Sequence, residues 1–243
     1  MTNLSTYETF IDVCRTRLTS RAFDPAQEIP REHFDLILEA ARHGPSGANA
    51  QPWHYIIVTD AAKKKSLADY FVAEATARAK SKMKFPTPNY RGLETAPGLI
   101  VVVADFRYIN AFPVLNDDSD LDKMYKENAM RILLQSVAAS TMSAHLAASA
   151  LGYGVWWVTA IGQEAAQNSL KPLFGVPDDL SVIDIMAFGA PLKAPYKRWK
   201  KSLDEIRSWD SFNMDVYVDQ AGIEKWIKED RHKVMYRDES KID

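Results

Sequence analysis

The chain is poor in the residues that would build a metal or disulfide framework. It has one cysteine, Cys14, among 243 residues. One thiol closes no intrachain disulfide and excludes a cysteine-rich zinc site. The five histidines, at 33, 43, 54, 145 and 232, include no pair three or four apart, so no helical metal site is expected. Charge of one sign is also missing: 30 Lys and Arg stand against 32 Asp and Glu, for a net charge of -2. That balance suggests neither a nucleic-acid partner nor an acidic disordered chain. No apolar run approaches the ~20 residues of a membrane span; one of the longest is GLIVVVA at 98–104. The N-terminus, MTNLSTYETFIDVCRTR, lacks the basic segment and apolar stretch of a signal peptide. A cytoplasmic location, a reducing environment and no membrane partner are the resulting expectations.

What is present is a hydrophobic fraction of 47%, enough for one globular domain or two small ones. Helical spacing is visible at 6–17, at 30–44 (Phe34, Ile37, Leu38, Ala41, then Gly44), at 60–84 and at 124–151. Strand-like runs occur at 55–58, 99–104, 155–160 and 182–188, and SFNMDVYV at 211–218 reads as another strand. No two-residue turn joins consecutive runs, and helices lie between most of them. The class is therefore α+β, without the regular alternation of a doubly wound sheet. The helix at 124–151 carries Ser136, Ala139, Ser140, Ser143, Ala144 and Ala147, a small-residue stripe that permits close helix approach.

Several motifs dissolve on inspection. Gly44-x-Ser46-x-Ala48 has its helix before the serine and its strand after, the reverse of a nucleophile elbow. Asp118-x-Asp120-x-Asp122 opens like a calcium loop, but Lys123 replaces the glycine and Ala129 the closing glutamate. Gly152-Tyr153-Gly154 lacks the third glycine of a dinucleotide fingerprint. Two basic segments remain: Arg15, Arg17 and Arg21 among hydroxyls at 15–23, and Lys197, Arg198, Lys200 and Lys201. Guanidinium and ammonium groups beside hydroxyls suit a phosphate monoester, and they equally suit a solvated surface. HGPSGANAQPWHY at 43–55 packs small and turn-forming residues between a helix and a strand, a composition that lets backbone lie against a flat ligand.

Taken in order, these segments resemble the FMN-dependent nitroreductase superfamily. Arg17-Leu18-Thr19-Ser20-Arg21-Ala22-Phe23 is similar to its opening motif, and Pro45-Ser46-Gly47-Ala48-Asn49-Ala50-Gln51-Pro52-Trp53 to its Pro-Ser-x-x-Asn-x-Gln-Pro-Trp signature. Leu151–Trp156, Phe174–Pro177, Phe188–Pro191 and Lys200–Ile206 follow at matching spacing. The resemblance covers residues 6 to 206. It implies a nitroreductase-like fold: a central, mostly antiparallel sheet flanked by helices in an intertwined homodimer, with FMN at the interface. Residues 1–206 would form the FMN-binding domain. Residues 207–243 would be an extension of the same domain, a swapped strand and helix wrapping the partner.

Carried over by position, Arg17 and Lys200, helped by Arg198, would hold the phosphate, and Thr19 would add a hydroxyl. Leu18 stands where a polar residue is frequent, and Lys200 where Arg is frequent, which keeps charge but loses bidentate geometry. Arg21 would sit by the N1/C2 edge of the flavin and favour negative charge there. Pro45, Ser46, Gly47 and Asn49 would lie against the ring, the first three from the partner subunit. Trp157, Val158 and Thr159 fall where the family contacts flavin N5, and the Thr159 hydroxyl could bond that atom; a plain strand role is the alternative. No obligatory acid–base residue and no metal are implied. The implied reaction is a ping-pong cycle from NAD(P)H through flavin N5 to a small aromatic or conjugated acceptor. Segment 70–95 occupies the variable lid position, with Tyr70, Phe71, Arg78, Phe85, Tyr90 and Arg91 as acceptor-facing candidates. A reductive dehalogenase of the iodotyrosine deiodinase type is an alternative. In that branch a lid Glu is followed four residues on by Tyr, whereas Glu74 here is followed by Arg78. A flavin-binding protein without turnover is the other.

Overall fold

The computed structural model describes residues 3–81, 87–193 and 199–231. The chain divides into two compact units, Met1–Lys193 and Ala194–Asp243. The division falls earlier than residue 206, where the sequence motifs end.

In the first unit the helices are α1 (Leu4–Thr16), α2 (Arg31–Arg42), α3 (Ala61–Ala79), the short α4 (Gly92–Thr95), α5 (Asp120–Ala150) and α6 (Glu164–Phe174). The strands are β1 (Trp53–Ile57), β2 (Gly98–Ala104), β3 (Gly154–Val158) and β4 (Ser181–Gly189). Their ends follow from local chemistry. Side chains of Asn3, Asp60 and Ser119 accept backbone N–H bonds in the first turns of α1, α3 and α5. Gly175 closes α6 at φ +68, a conformation glycine adopts without cost.

The strands form one sheet in the order β1-β2-β4-β3, every pairing antiparallel, as the resemblance implied. Both faces are covered, which is why GLIVVVA reads as continuous apolar sequence and every residue of β2 is buried. Pleating sends Leu99, Val101 and Val103 to one face, where they pack with Leu67 and Phe71 of α3 and Leu170 and Phe174 of α6. On the other face Ile100, Met186 and Phe188 meet Phe34 and Ile37 of α2 and Ala144 and Ala148 of α5. Each fully buried aliphatic or Phe side chain contributes about 1.5–3 kcal/mol. α1 differs, because it buries no residue, and Leu4, Tyr7 and Phe10 are all more than half exposed.

The second unit contains α7 (Gln220–Glu229) and a 3-10 turn at Met214–Val216. In the stretch 211–218, read from sequence as a strand swapped onto a partner, the single chain has this turn, no strand pairs with it among the described residues, and the Asn213 side chain caps the turn by accepting from Asp215 N at 3.0 Å. A cavity of about 530 Å³ lies in this unit, lined by Ile206, Phe212, Tyr217 and Ile223 among others. No helix among the described residues is long and apolar enough to cross a membrane.

Candidate functional site

The loop between α2 and β1 is held in an unusual shape. Ala48, Asn49 and Gln51 all have left-handed backbone, with φ of 53, 50 and 47. Such conformations cost of order 1–3 kcal/mol each and persist only where surroundings impose them. Here the surroundings are two serines one helical turn apart on α5. Gly47 N donates to Ser136 Oγ at 3.1 Å, and Ser136 in turn donates to Ile132 O. Ser140 Oγ donates to Ala41 O at 2.6 Å, and the Tyr55 hydroxyl forms a short bond to the same Ser140 oxygen. Burial pushes the Tyr55 hydroxyl up to about 12, against the lowering effect of that bond, so Tyr55 stays neutral. Gly44 fits because a Cβ there would lie 2.7 Å from Ser140 Cα. Within the loop, Gln51 N donates to Ser46 Oγ at 3.1 Å. The result is a rigid loop in which Pro45, Ala48 and Asn49 are exposed and Ser46 and Gly47 half-buried.

The opening basic segment lies along the free edge of β3. Thr19 bridges Val155 in parallel, and Ser20 N donates to Val155 O at 2.9 Å. This extends the sheet by one short extended segment and places Arg17, Leu18, Thr19 and Arg21 beside β3, all half-buried. Arg17 caps α1 through its backbone, while its guanidinium forms no ion pair among the described residues. Arg21 places its guanidinium carbon 5.8 Å from the centre of the Trp156 ring. At the far end of β3 the side chains diverge: Trp157 is half-buried, Val158 buried and Thr159 exposed just past the strand.

The lid candidates divide. Phe71 and Tyr90, expected to face an acceptor, are core residues at 1% and 6% exposure. Their rings stack on each other at 4.8 Å, and Tyr90 stacks on Trp156 at 5.6 Å, a column that ends at Arg21. The helical period of α3 turns Phe71 inward with Leu67, while Tyr70 is half-buried beside it. Arg78 pairs with Glu74 at 3.2 Å, and Arg91 with Asp69 and Glu94 at 2.5 and 3.1 Å. Phe85 and Arg198 lie outside the described residues, and Lys200 belongs to the second unit. No cluster of His, Cys, Asp or Glu fit to hold a metal exists among the described residues.

Sequence reasoning missed the supports: Ser136, Ser140, Tyr55 and Trp156. The small-residue stripe flagged Ser136 and Ser140 as packing positions, yet nothing in one dimension showed which loop they would pin. As chemistry, a guanidinium without an ion pair among the described residues and a hydroxyl two residues on, both along a strand edge, suit an anion. A rigid loop with small exposed residues suits a flat ring. The donor set therefore fits FMN, which carries both groups.

The Nitroreductase family profile matches residues 14–190. An Archaeoglobus fulgidus protein, provisionally named an NADH dehydrogenase/NAD(P)H nitroreductase, is 27% identical over 211 residues, 87% of this chain and 95% of its own. The nitroreductase NfnB of Mycolicibacterium smegmatis is 35% identical over 117 residues, 47% of each chain. Among solved structures, Bacillus megaterium NfrA2 superposes with TM-score 0.66 at 19% identity, covering 90% of this chain and 79% of that one. An FMN-dependent nitroreductase from Clostridium difficile superposes with TM-score 0.59 at 21% identity, covering 83% and 99%. At such identities the superpositions establish the fold.

Proposed function

Because the chain belongs to the nitroreductase family, we propose that it is an FMN-dependent oxidoreductase carrying electrons from NAD(P)H to a small aromatic or conjugated acceptor in a ping-pong cycle. The observation that carries this reading is the segment 17–21 laid along the free edge of β3, with Arg17 and Thr19 half-buried there and no ion pair to Arg17 among the described residues. Bound FMN would supply a ring that takes hydride at N5 and passes it on.

The chain's own residues bind and orient. Arg17 and Thr19 would hold the phosphate, and the family motif gives Lys200 and Arg198 the same role by position. Arg21, braced on Trp156, would favour negative charge at the N1/C2 edge. Thr159 would offer its exposed hydroxyl toward N5, with Trp157 and Val158 supplying backbone beside it. Leu18 would contribute backbone and an apolar contact. Pro45, Ser46 and Gly47 would close on the ring from a second copy of the chain, and Asn49 would also lie against the ring. Dimerisation is supported by the apolar face of α1, Leu4, Tyr7 and Phe10, which buries nothing within one chain. The C-terminal unit, with Trp209, Phe212 and Met214 all more than 60% exposed, would wrap that partner. Tyr70, Arg78 and Arg91 stay candidates for acceptor contact. The Glu74–Arg78 ion pair occupies a carboxylate that the dehalogenase reading would need for substrate.

The test is the visible spectrum of the purified protein under anaerobic NADH or NADPH. An oxidised-flavin spectrum that bleaches and then returns with a nitroarene or quinone supports the proposal. Bound flavin that nicotinamide leaves oxidised, while dithionite bleaches it, refutes the NAD(P)H-linked cycle. A colourless protein that FMN does not stabilise refutes the flavin reading altogether.

A further inference from the structure

Under β3, on the face covered by α5, three buried polar side chains lie with the buried Nε1 of the half-buried Trp157. Thr141 and His145 lie one turn apart on α5, Trp157 on β3 and Asp184 on β4. Thr141, His145 and Asp184 are 0%, 1% and 4% exposed. Thr141 Oγ1 donates to Asp184 Oδ2 at 3.3 Å. The His145 ring stacks on the Trp157 indole, with centroids 5.1 Å apart and planes 28° from parallel. Both His145 ring nitrogens and Trp157 Nε1 are buried and make no hydrogen bond to protein. The indole is near enough to Asp184 to favour its ionised form, yet it does not complete a bond of normal geometry.

Three buried polar atoms left unsatisfied would cost about 1–3 kcal/mol each. Native proteins avoid such a deficit almost everywhere. A direct ion pair between His145 and Asp184 does not remove it. Burial, reinforced by the positive charge of Arg17, holds His145 down at about 3, and burial pushes the Asp184 carboxyl up. Both groups are thereby driven toward their neutral forms. The set to be matched is then an indole N–H donor, an imidazole with one donor and one acceptor, and a carboxyl group already bonded to Thr141. Water donates twice and accepts twice, and a buried water ordinarily has two to four polar partners of this kind.

We infer that Thr141, His145, Trp157 and Asp184 form a binding site for buried water, bridging the imidazole, the indole and the carboxyl group between α5 and the sheet. Around His145 lie the Trp157 ring on β3 and the charge of Arg17 at the end of α1, with Thr141 one turn before it on its own helix and Asp184 of β4 beside Thr141 and Trp157. The site uses none of the residues assigned to phosphate or ring except Trp157 and stands whether or not FMN binds. It ties α5, whose Ser136 and Ser140 pin the 44–51 loop, to β3, whose end carries Thr159. His145 is in this sense a positioning residue.

The test uses the full-length protein. A crystal structure that resolves ordered water is expected to show one oxygen within hydrogen-bond distance of a His145 ring nitrogen and of Trp157 Nε1 or Asp184. Nitrogen-15 NMR of the His145 ring is expected to show a neutral imidazole in a single tautomer at about pH 6, below the usual histidine midpoint. The Trp157 indole proton should show a cross-peak to long-lived water. That cross-peak should vanish in His145→Leu and be retained in His145→Gln, which keeps a donor and an acceptor. An imidazolium at that pH, or ring nitrogens bonded directly to Asp184 with no water between, would overturn the inference. Should the Leu variant fail to fold, the crystal and NMR observations on the unmodified protein decide the matter.

Discussion

Acid should destabilise this protein through one buried imidazole. His145 is held at about 3 in the folded chain by burial first and the Arg17 charge second. In the unfolded chain it takes a proton near the ordinary value of about 6.5. Above that pH both states are neutral and the contribution to stability is fully present. As pH falls below it, the unfolded chain binds a proton that the folded chain refuses, so stability is lost until about pH 3. At pH 5 the loss is about 1.5 pH units times 1.36 kcal/mol, or roughly 2 kcal/mol. That is a large share of a typical folding stability of about 5–15 kcal/mol. Asp184 acts in the opposite sense. Its folded value is raised, so it costs stability as pH rises and relieves that cost on acidification. The measurement is therefore a difference: urea unfolding of the unmodified protein and of His145→Gln, each at about pH 7.5 and about pH 5. Relative to the variant, the unmodified protein should lose roughly 2 kcal/mol more between the two conditions. Absolute stabilities of the two proteins do not matter. Equal pH dependence, within about 0.5 kcal/mol, would show that the imidazole is charged or solvated and would refute the argument.

Four further outcomes are expected. Ser140→Ala removes the bonds to Ala41 O and Tyr55, and should lower stability by about 1–3 kcal/mol, read as a drop in Tm together with weaker FMN affinity. Gly44→Ala drives a methyl against the Ser140 backbone at 2.7 Å, an overpacking cost of about 1–3 kcal/mol visible in the same melts; an unchanged Tm would mean the α2–α5 contact is looser than described. Arg17→Ala should weaken FMN binding at least tenfold by fluorescence titration, Arg17→Lys less so because charge survives without the planar fork. Trp156→Leu should shift the flavin midpoint potential downward if the ring braces Arg21, whereas Tyr70→Phe should leave it where it is.

The extent to which the sequence spoke for itself differed between parts of the chain. Strands β2 and β4 were readable because burial on both faces made them apolar runs bounded by turn residues, and β1 and β3 through their β-branched and aromatic content. Helices α2 and α5 were readable through their spacing. The residues at 17–21 and 45–53 were recognisable by type and order. Phe71 and Tyr90 were misassigned because an aromatic side chain in a lid and one in a core look alike along the chain; only the packing of α3 against the sheet separates them. Segment 211–218 has the β-branched and aromatic content of a strand, but a strand exists only where an edge is offered to it.

What the amino-acid order determined by itself was the class of fold, the exclusion of an intrachain disulfide, and the family signatures at 17–23 and 45–53. These depend on residue chemistry and on periods of two and 3.6 residues, which are local. Tertiary structure alone decided that Ser136 bonds the Gly47 backbone and Ser140 the Ala41 carbonyl just before the left-handed loop, that Trp156 lies under Arg21, and that His145 stacks on Trp157 while Thr141 bonds Asp184. Those relations join residues tens of positions apart, and their energies come from excluding water, which happens only when helix and sheet close on each other.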